Sequence, residues 1–181
     1  LADTYGSINV IKTSMRPDYK GLSVKEESDT EHPFPNISTC VLNDLQPQLV
    51  INYSNKKCVY ANQSKLVLAH KMYGIPYLDK EGKYGISNRD NYVIIDKSIQ
   101  ELEKIKRCLE TKLIVFLYEA TRYRMKYLEK YIFEMIPDIS KDMEVEPEQI
   151  NEKWVADYFG LEEIERLVIK NHSKRHYLSF P

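Results

Sequence analysis

Short runs of β-branched and aromatic residues occupy the first half of the chain, and each is bounded by Asn, Gly, Pro or Lys. Runs of this kind are typical of β-strands. Residues 16–36 are instead polar and are interrupted by three prolines and a glycine, which predicts a long surface loop. The predicted strands are Ile8–Ile11, Ser38–Leu42, Gln48–Tyr53, Lys65–His70 and Asn91–Asp96.

The spacing of apolar residues changes at Ser98. Ser98 and Glu101 form the pattern of a capping box, in which Ser and Glu three residues apart begin a helix. Apolar residues then recur every three or four positions, which predicts a helix with one buried face. That face holds Ile99, Leu102, Ile105, Leu109, Leu113 and Phe116. A second helix, ended by Pro137, is predicted from Tyr123, Tyr127, Leu128, Tyr131 and Ile132.

A final acidic unit is predicted from Glu146 to Leu167, with Pro147 in its first turn and Gly160 as its stop. Together the elements predict an α+β fold, with a small twisted β-sheet in the N-terminal half followed by two or three helices. The corresponding parts are a β-rich part at 1–97 with the loop 16–36, a helical part at 98–135, and the acidic helical unit and a basic tail at 136–181.

Charge is distributed unevenly, although the net charge is only −1. Residues 50–133 hold 16 Lys+Arg against 9 Asp+Glu, or +7, whereas residues 134–165 hold 2 against 11, or −9. A basic body followed by an acidic segment is common in proteins that meet nucleic acid. The alternative is that each charge simply solvates a helix face.

The cysteines and the chain ends indicate the compartment. Cys40, Cys58 and Cys108 are odd in number and far apart, which predicts neither a disulfide framework nor a cysteine zinc site and favours the reducing cytoplasm. No apolar run reaches the roughly 18 residues of a membrane helix. The first residues lack a signal-peptide pattern and an initiating Met, so we expect a fragment of a longer protein.

Two weak catalytic candidates stand out, since the chain has no GxGxxG, P-loop, HExxH or GxSxG motif. His172 and His176 could share a helical face, but no carboxylate is near them to complete a metal site. Asp79, Glu81 and Lys83 could form a metal-dependent nuclease site, in which two carboxylates hold Mg²⁺ and a lysine activates water. The alternative is a charged hairpin loop joining the strands that contain residues 66 and 92.

Basic and aromatic residues are interleaved farther along the chain. Arg and Lys can neutralise phosphates, and Tyr can stack on bases. The alternative is that the tyrosines form the semi-buried face of a helix. The interleaved residues are Tyr118, Arg122, Tyr123, Arg124, Lys126, Tyr127, Lys130 and Tyr131.

Several stretches resemble a known family in their order and spacing. They are Lys65-Leu66-Val67-Leu68, Pro76-Tyr77-Leu78-Asp79, Gly82-Lys83-Tyr84-Gly85-Ile86-Ser87, Tyr92-Val93-Ile94-Ile95 and residues 109–117, 136–142 and 157–163. From Gln48 onwards the chain resembles the C-terminal target-recognition (specificity) region of Type II adenine-N6 DNA methyltransferases of restriction–modification systems, the Eco57I and TaqI-like group. Residues 1–47 carry no such likeness.

The resemblance implies a division of labour. The family's catalytic domain binds S-adenosylmethionine and flips the target adenine into an NPPY-type pocket, and neither NPPY nor DPPY occurs in this chain. The chain is therefore expected to bind double-stranded DNA beside an N-terminal methyltransferase domain of the same polypeptide, with no catalytic residue, metal or cofactor of its own. A metal-dependent endonuclease and a protein-interaction module built on the acidic unit remain the alternatives.

Basic side chains are expected to contact the DNA phosphates, and loop residues are expected to reach the edges of the nucleobases. They are Lys71, Tyr73, Lys83, Tyr84, Ser87, Asn88, Arg89, Arg122, Arg124 and Lys126.

Overall fold

The structure is a computed structural model that describes residues 2–14, 19–43, 46–70, 76–121 and 127–172. The strands are β1 (Ile11–Lys12), β2 (Val24–Lys25), β3 (Phe34–Asn43), β4 (Gln46–Ser54), β5 (Lys65–Ala69), β6 (Pro76–Asp79), β7 (Gly85–Ile86) and β8 (Asn91–Ile94). The helices are α1 (Ala2–Tyr5), α2 (Ile99–Leu109), α3 (Lys112–Ala120), α4 (Glu152–Tyr158) and α5 (Glu163–His172). The predicted α+β fold is confirmed.

The strands form two four-stranded sheets where the sequence predicts one small sheet. The inner sheet has the order β1-β8-β5-β6 and is antiparallel throughout. The outer sheet has the order β2-β4-β3-β7, and its β3–β7 pair is parallel. The predicted loop 16–36 contains β2 and the start of β3, while residues 15–18 lie outside the described residues.

The inner sheet is covered on both faces. Val67 and Val93 pack with Ile37 and Ile86 of the outer sheet. Their strand neighbours point the other way and join the larger core, which the helices complete. Strands buried on both faces read as continuous apolar runs, which is why β5 and β8 are visible in the sequence. The neighbours that face the helices are Leu66, Leu68, Tyr92 and Ile94.

Two helices replace the single helix predicted from Ser98 to residue 116. The capping box is confirmed, because Ser98 Oγ accepts from the Glu101 N–H and the Ser98 N–H donates to the Glu101 carboxylate. The break follows α2, where Thr111 Oγ1 donates to the Cys108 carbonyl at 2.7 Å. Both helices bury apolar side chains in the same core, so the apolar spacing continues across the break.

The carboxylate of Glu152 caps the N-terminus of α3. The Lys112 N–H donates to its two oxygens at 2.9 and 3.1 Å. Burial raises the pKa of Glu152, and the hydrogen bond from Lys112 opposes that shift. The first N–H groups of a helix have no acceptor within the helix. For α3 the acceptor is a side chain 40 residues further along the chain, that of Glu152.

The second predicted helix does not form as an α-helix in its described part. Residues 127–129 are irregular and Lys130–Met135 form a 3₁₀ turn. The Leu128 N–H donates to the His70 carbonyl at 2.8 Å, and the Tyr92 hydroxyl donates to the Leu128 carbonyl at 2.9 Å. These bonds tie the segment to the inner sheet in place of a helical ladder.

The acidic unit consists of a 3₁₀ turn at Pro147–Gln149 followed by α4 and α5. Gly160, the predicted stop, lies between the two helices with φ of 67°. Residues 173–181 of the predicted tail lie outside the described residues. Within the described part of the chain, no helix combines the length and apolar character that a membrane crossing requires.

Candidate functional site

A buried ion pair holds the loop between β6 and β7. Lys65 Nζ lies 2.6 Å from Asp79 Oδ2, and both side chains are at most 3% exposed. The Asp79 carboxylate also accepts the backbone N–H groups of Lys83 at 2.9 Å and of Tyr84 at 3.0 Å. The carboxylate therefore fixes the backbone of Lys83 and Tyr84, two of the residues predicted to contact DNA.

The same lysine organises the neighbouring loop. Lys65 Nζ donates to the carbonyls of Tyr60 at 3.0 Å and Gln63 at 3.2 Å. Burial lowers the pKa of Lys65, while its hydrogen bond and charge interaction with Asp79 raise it. One ammonium group thus joins residues 60–63 to the loop that follows β6.

The strands that contain residues 66 and 92 pair antiparallel, but the charged loop is not a simple hairpin between them, because it crosses from β6 of the inner sheet to β7 of the outer sheet. β6 and β8 pair with opposite edges of β5, and β7 belongs to the outer sheet. Positive φ is found at Gly82 (+66°). At Gly85 the constraint is contact, since a Cβ there would lie 2.5 Å from Asn36 Oδ1 and 2.8 Å from Cys58 Cβ.

Lys83 is exposed at the tip of this loop. Its Nζ lies 5.2 Å from the centroid of the Tyr84 ring, and that ring meets the Tyr77 ring edge-on at 6.3 Å. Burial raises the pKa of Tyr77, with further contributions from Tyr84 and the nearby acids. The arrangement presents one cation to solvent above a half-buried aromatic pair, which suits a phosphate contact.

The nuclease alternative needs the Asp79 carboxylate as a metal ligand, and the geometry of Asp79 disfavours that role. The Asp79 carboxylate is only 3% exposed, and its charge is already paired with the buried Lys65 ammonium, so a metal ion would have to displace that cation. Within the described ranges, no group of three or more His, Cys, Asp and Glu side chains could hold a metal. His172 packs against the Phe116 ring and lies 3.5 Å from Glu119, and His176 lies outside those ranges.

Ser87 and Asn88 make internal hydrogen bonds. Ser87 is buried and its Oγ donates to Asn52 Oδ1 at 2.9 Å. Asn88 Nδ2 donates to the carbonyl and Oγ of Ser38, and its Oδ1 accepts from the Asp90 N–H and from Asn91 Nδ2. These two side chains hold the loop 87–90 in place through internal hydrogen bonds, and their contact with base edges stays a prediction.

Arg89 lies at the apex of that loop and is exposed. It makes no ion pair or side-chain hydrogen bond with any residue that the structure describes. A guanidinium held on a loop whose neighbours are fixed is well suited to a phosphate or a guanine edge.

Backbone hydrogen bonds join four parts of the chain at the end of the inner sheet where β5 ends, which we call the His70 end. The His70 N–H donates to the Asp90 carbonyl at 2.8 Å, and the His70 carbonyl accepts from the Leu128 N–H at 2.8 Å. The Thr13 N–H donates to the Asn91 carbonyl at 2.9 Å. Segments that are distant in sequence therefore meet at one place.

Among the predicted DNA contacts that the structure describes, Arg89 lies at this end of the sheet. Arg89 precedes Asp90, and the predicted contacts Lys71, Tyr73, Arg122, Arg124 and Lys126 lie outside the described residues. Lys83 and Tyr84 are at the other end of β5. The five residues of β5 span about 13 Å, at roughly 3.3 Å per residue.

A cluster of polar side chains at the His70 end is not evident in the sequence. Lys12 Nζ lies 3.5 Å from His70 Nε2 and 5.9 Å from the centroid of the Tyr92 ring. The rings of His70 and Tyr127 are 4.9 Å apart. Burial, with Glu129 nearby, raises the pKa of Tyr92 to about 12, so its hydroxyl stays neutral. Lys12 and His70 are 58 residues apart, and no local pattern could link them.

The interleaved tyrosines do not share one role. Tyr118 is buried in the core against Phe133, and burial raises its pKa well above the usual range. Tyr131 is exposed, and its hydroxyl donates to the Thr121 carbonyl. Tyr118 is therefore a packing residue, as the alternative interpretation of this pattern proposed.

No protein family matches the chain, and neither a curated protein nor a solved structure shows significant similarity to it.

Proposed function

We propose that the chain binds double-stranded DNA as the target-recognition part of an adenine-specific DNA methyltransferase of a restriction–modification system. The observation that carries the proposal is the His70 end, where four chain segments are hydrogen-bonded together, three of which adjoin predicted DNA contacts in sequence. Recognition surfaces are commonly built from loops that a rigid scaffold brings together, and the inner sheet is such a scaffold.

The described side chains at this end suit DNA. Arg89 and Lys12 supply exposed positive charge, which attracts the phosphate backbone without regard to sequence. Tyr127 and His70 supply rings that can stack on a base or hydrogen-bond a phosphate. Lys83 adds a phosphate contact at the opposite end of β5, within reach of the same duplex.

In this proposal the methyl group and the flipped adenine are handled elsewhere in the parent protein. The methyltransferase domain binds S-adenosylmethionine, and this chain holds and selects the duplex. Two observations support that part of the proposal. Residues 48–181 resemble the target-recognition region of such methyltransferases, and the chain carries no NPPY or DPPY motif.

Removing either described cation at the His70 end is expected to weaken binding to all duplexes alike. Arg89→Ala and Lys12→Ala should each lower affinity by about 1 kcal/mol, as the loss of a charge-assisted hydrogen bond does. Each should also reduce the slope of log affinity against log salt by roughly 0.9. Fluorescence anisotropy with labelled duplexes over a salt series measures both quantities.

Lys153→Ala is the control, because Lys153 is also exposed but lies on α4 in the helical layer, where it pairs with Asp157. It should leave affinity and slope nearly unchanged. If Arg89→Ala and Lys12→Ala lower affinity but keep the full salt slope, these residues stabilise the fold and do not contact phosphate.

A further inference from the structure

Helix α5 carries an exposed apolar stripe. Ile164, Leu167 and Val168 are 61%, 51% and 49% exposed, and their spacing places them on one helix face. Ile169 is buried and attaches the helix to the body on a different face. Single exposed apolar residues are ordinary, whereas a contiguous patch on one helix marks an interaction surface.

The stripe continues onto the neighbouring helix. Leu113 and Phe116 of α3 line a shallow groove together with Leu161, Ile164 and Val168. The apolar surface is therefore wider than one helix face, and a second helix could lie along it.

The charges beside the stripe indicate what covers it. Glu163 and Lys170 are exposed and seven residues apart, so they lie two turns apart on the same flank of the stripe. Neither makes an ion pair with a residue that the structure describes. In an antiparallel pair of identical helices, residues on one flank face the same flank of the other helix. Glu163 of each copy would then lie opposite Lys170 of the other.

We propose that a second copy of this chain covers the stripe, with the two α5 helices antiparallel about a twofold axis near Leu167. A twofold interface must be complementary to itself. The α5 flank meets that condition, because its acidic and basic ends are placed symmetrically about the apolar centre. An unrelated partner would impose no such symmetry. This proposal is independent of DNA binding.

The test is the mass of the full chain in solution, measured by sedimentation equilibrium over a range of micromolar concentrations. The unmodified chain should show a monomer–dimer equilibrium, and Leu167→Glu should abolish it. Glu163→Lys and Lys170→Glu should each weaken the dimer at least about tenfold, because like charges then face each other. Glu144→Lys, an equal charge change on an exposed residue outside α5, should leave it unchanged.

Mixing the two charge variants separates this interface from a non-specific one. An equimolar mixture of Glu163→Lys and Lys170→Glu should form a heterodimer, since every facing pair is again opposite in charge. The double variant Glu163→Lys/Lys170→Glu should dimerise as the unmodified chain does. A chain that is monomeric at all concentrations overturns the proposal, as do charge variants that dimerise normally alone or a mixture that stays monomeric.

Discussion

Replacing Lys65 with methionine is expected to lower the free energy of unfolding by about 3–5 kcal/mol, which is the usual cost of breaking a buried ion pair from one side. The variant leaves the Asp79 carboxylate buried without its cation. It also removes the hydrogen-bond donor of the Tyr60 and Gln63 carbonyls. Urea denaturation, followed by circular dichroism, gives the free energy directly.

The double variant Lys65→Met/Asp79→Asn is the control for this prediction. It removes the buried charge altogether, and the amide oxygen of the new residue can still accept from one of the two N–H groups, those of Lys83 and Tyr84, that the carboxylate oxygens accept separately. It should therefore be more stable than Lys65→Met alone. A loss below about 1 kcal/mol for Lys65→Met, the value of a solvent-exposed pair, would contradict the buried pair.

Gly82→Ala is expected to destabilise the fold by roughly 3 kcal/mol or more, because positive φ and steric conflict add. A Cβ at Gly82 would lie 2.3 Å from the Gln63 nitrogen and 2.6 Å from the Asn62 carbonyl carbon, and both atoms belong to the backbone. Backbone atoms cannot rotate away, so the crossover loop itself must shift. Thermal or urea unfolding of the full chain measures the loss.

Gly160→Ala provides a closely matched comparison. Gly160 has φ of 67° against 66° at Gly82, but nothing lies within 4 Å of a Cβ built there. It should lose only the conformational cost of positive φ, about 1–2 kcal/mol. Equal losses at the two glycines would mean that residues 62–63 do not press against the loop.

The elements that could be predicted are those set by local pattern. β5 and β8 are buried on both faces, and their apolar runs indicate this directly. The start of α2 could also be predicted from local sequence, because Ser98 and Glu101 are three residues apart and bond directly to each other.

The elements that could not be predicted depend on distant partners. The crossover after β6 is fixed by Lys65, 14 residues before Asp79. The segment at Leu128 has helical spacing, but its backbone bonds to His70 of the inner sheet. In both places tertiary contacts outweigh local propensity.

The site divides in the same way. Exposed charge on Lys83 and Arg89 follows from their polar, turn-rich surroundings. The internal bonds of Asn88 to Ser38, 50 residues away, could not be anticipated. The pairing of Lys12 with His70 required the fold itself, because β1 and β5 lie on either side of β8.

Binding of the unmodified chain to duplex DNA over a salt series tests the central claim most directly. We expect binding at low salt and a linear fall of log affinity with log salt, at roughly −0.9 for each phosphate neutralised. With Arg89, Lys12 and Lys83 all in contact, the described residues alone account for a slope of about −2.7. Absence of binding at low salt, or an affinity that does not change with salt, would contradict the account.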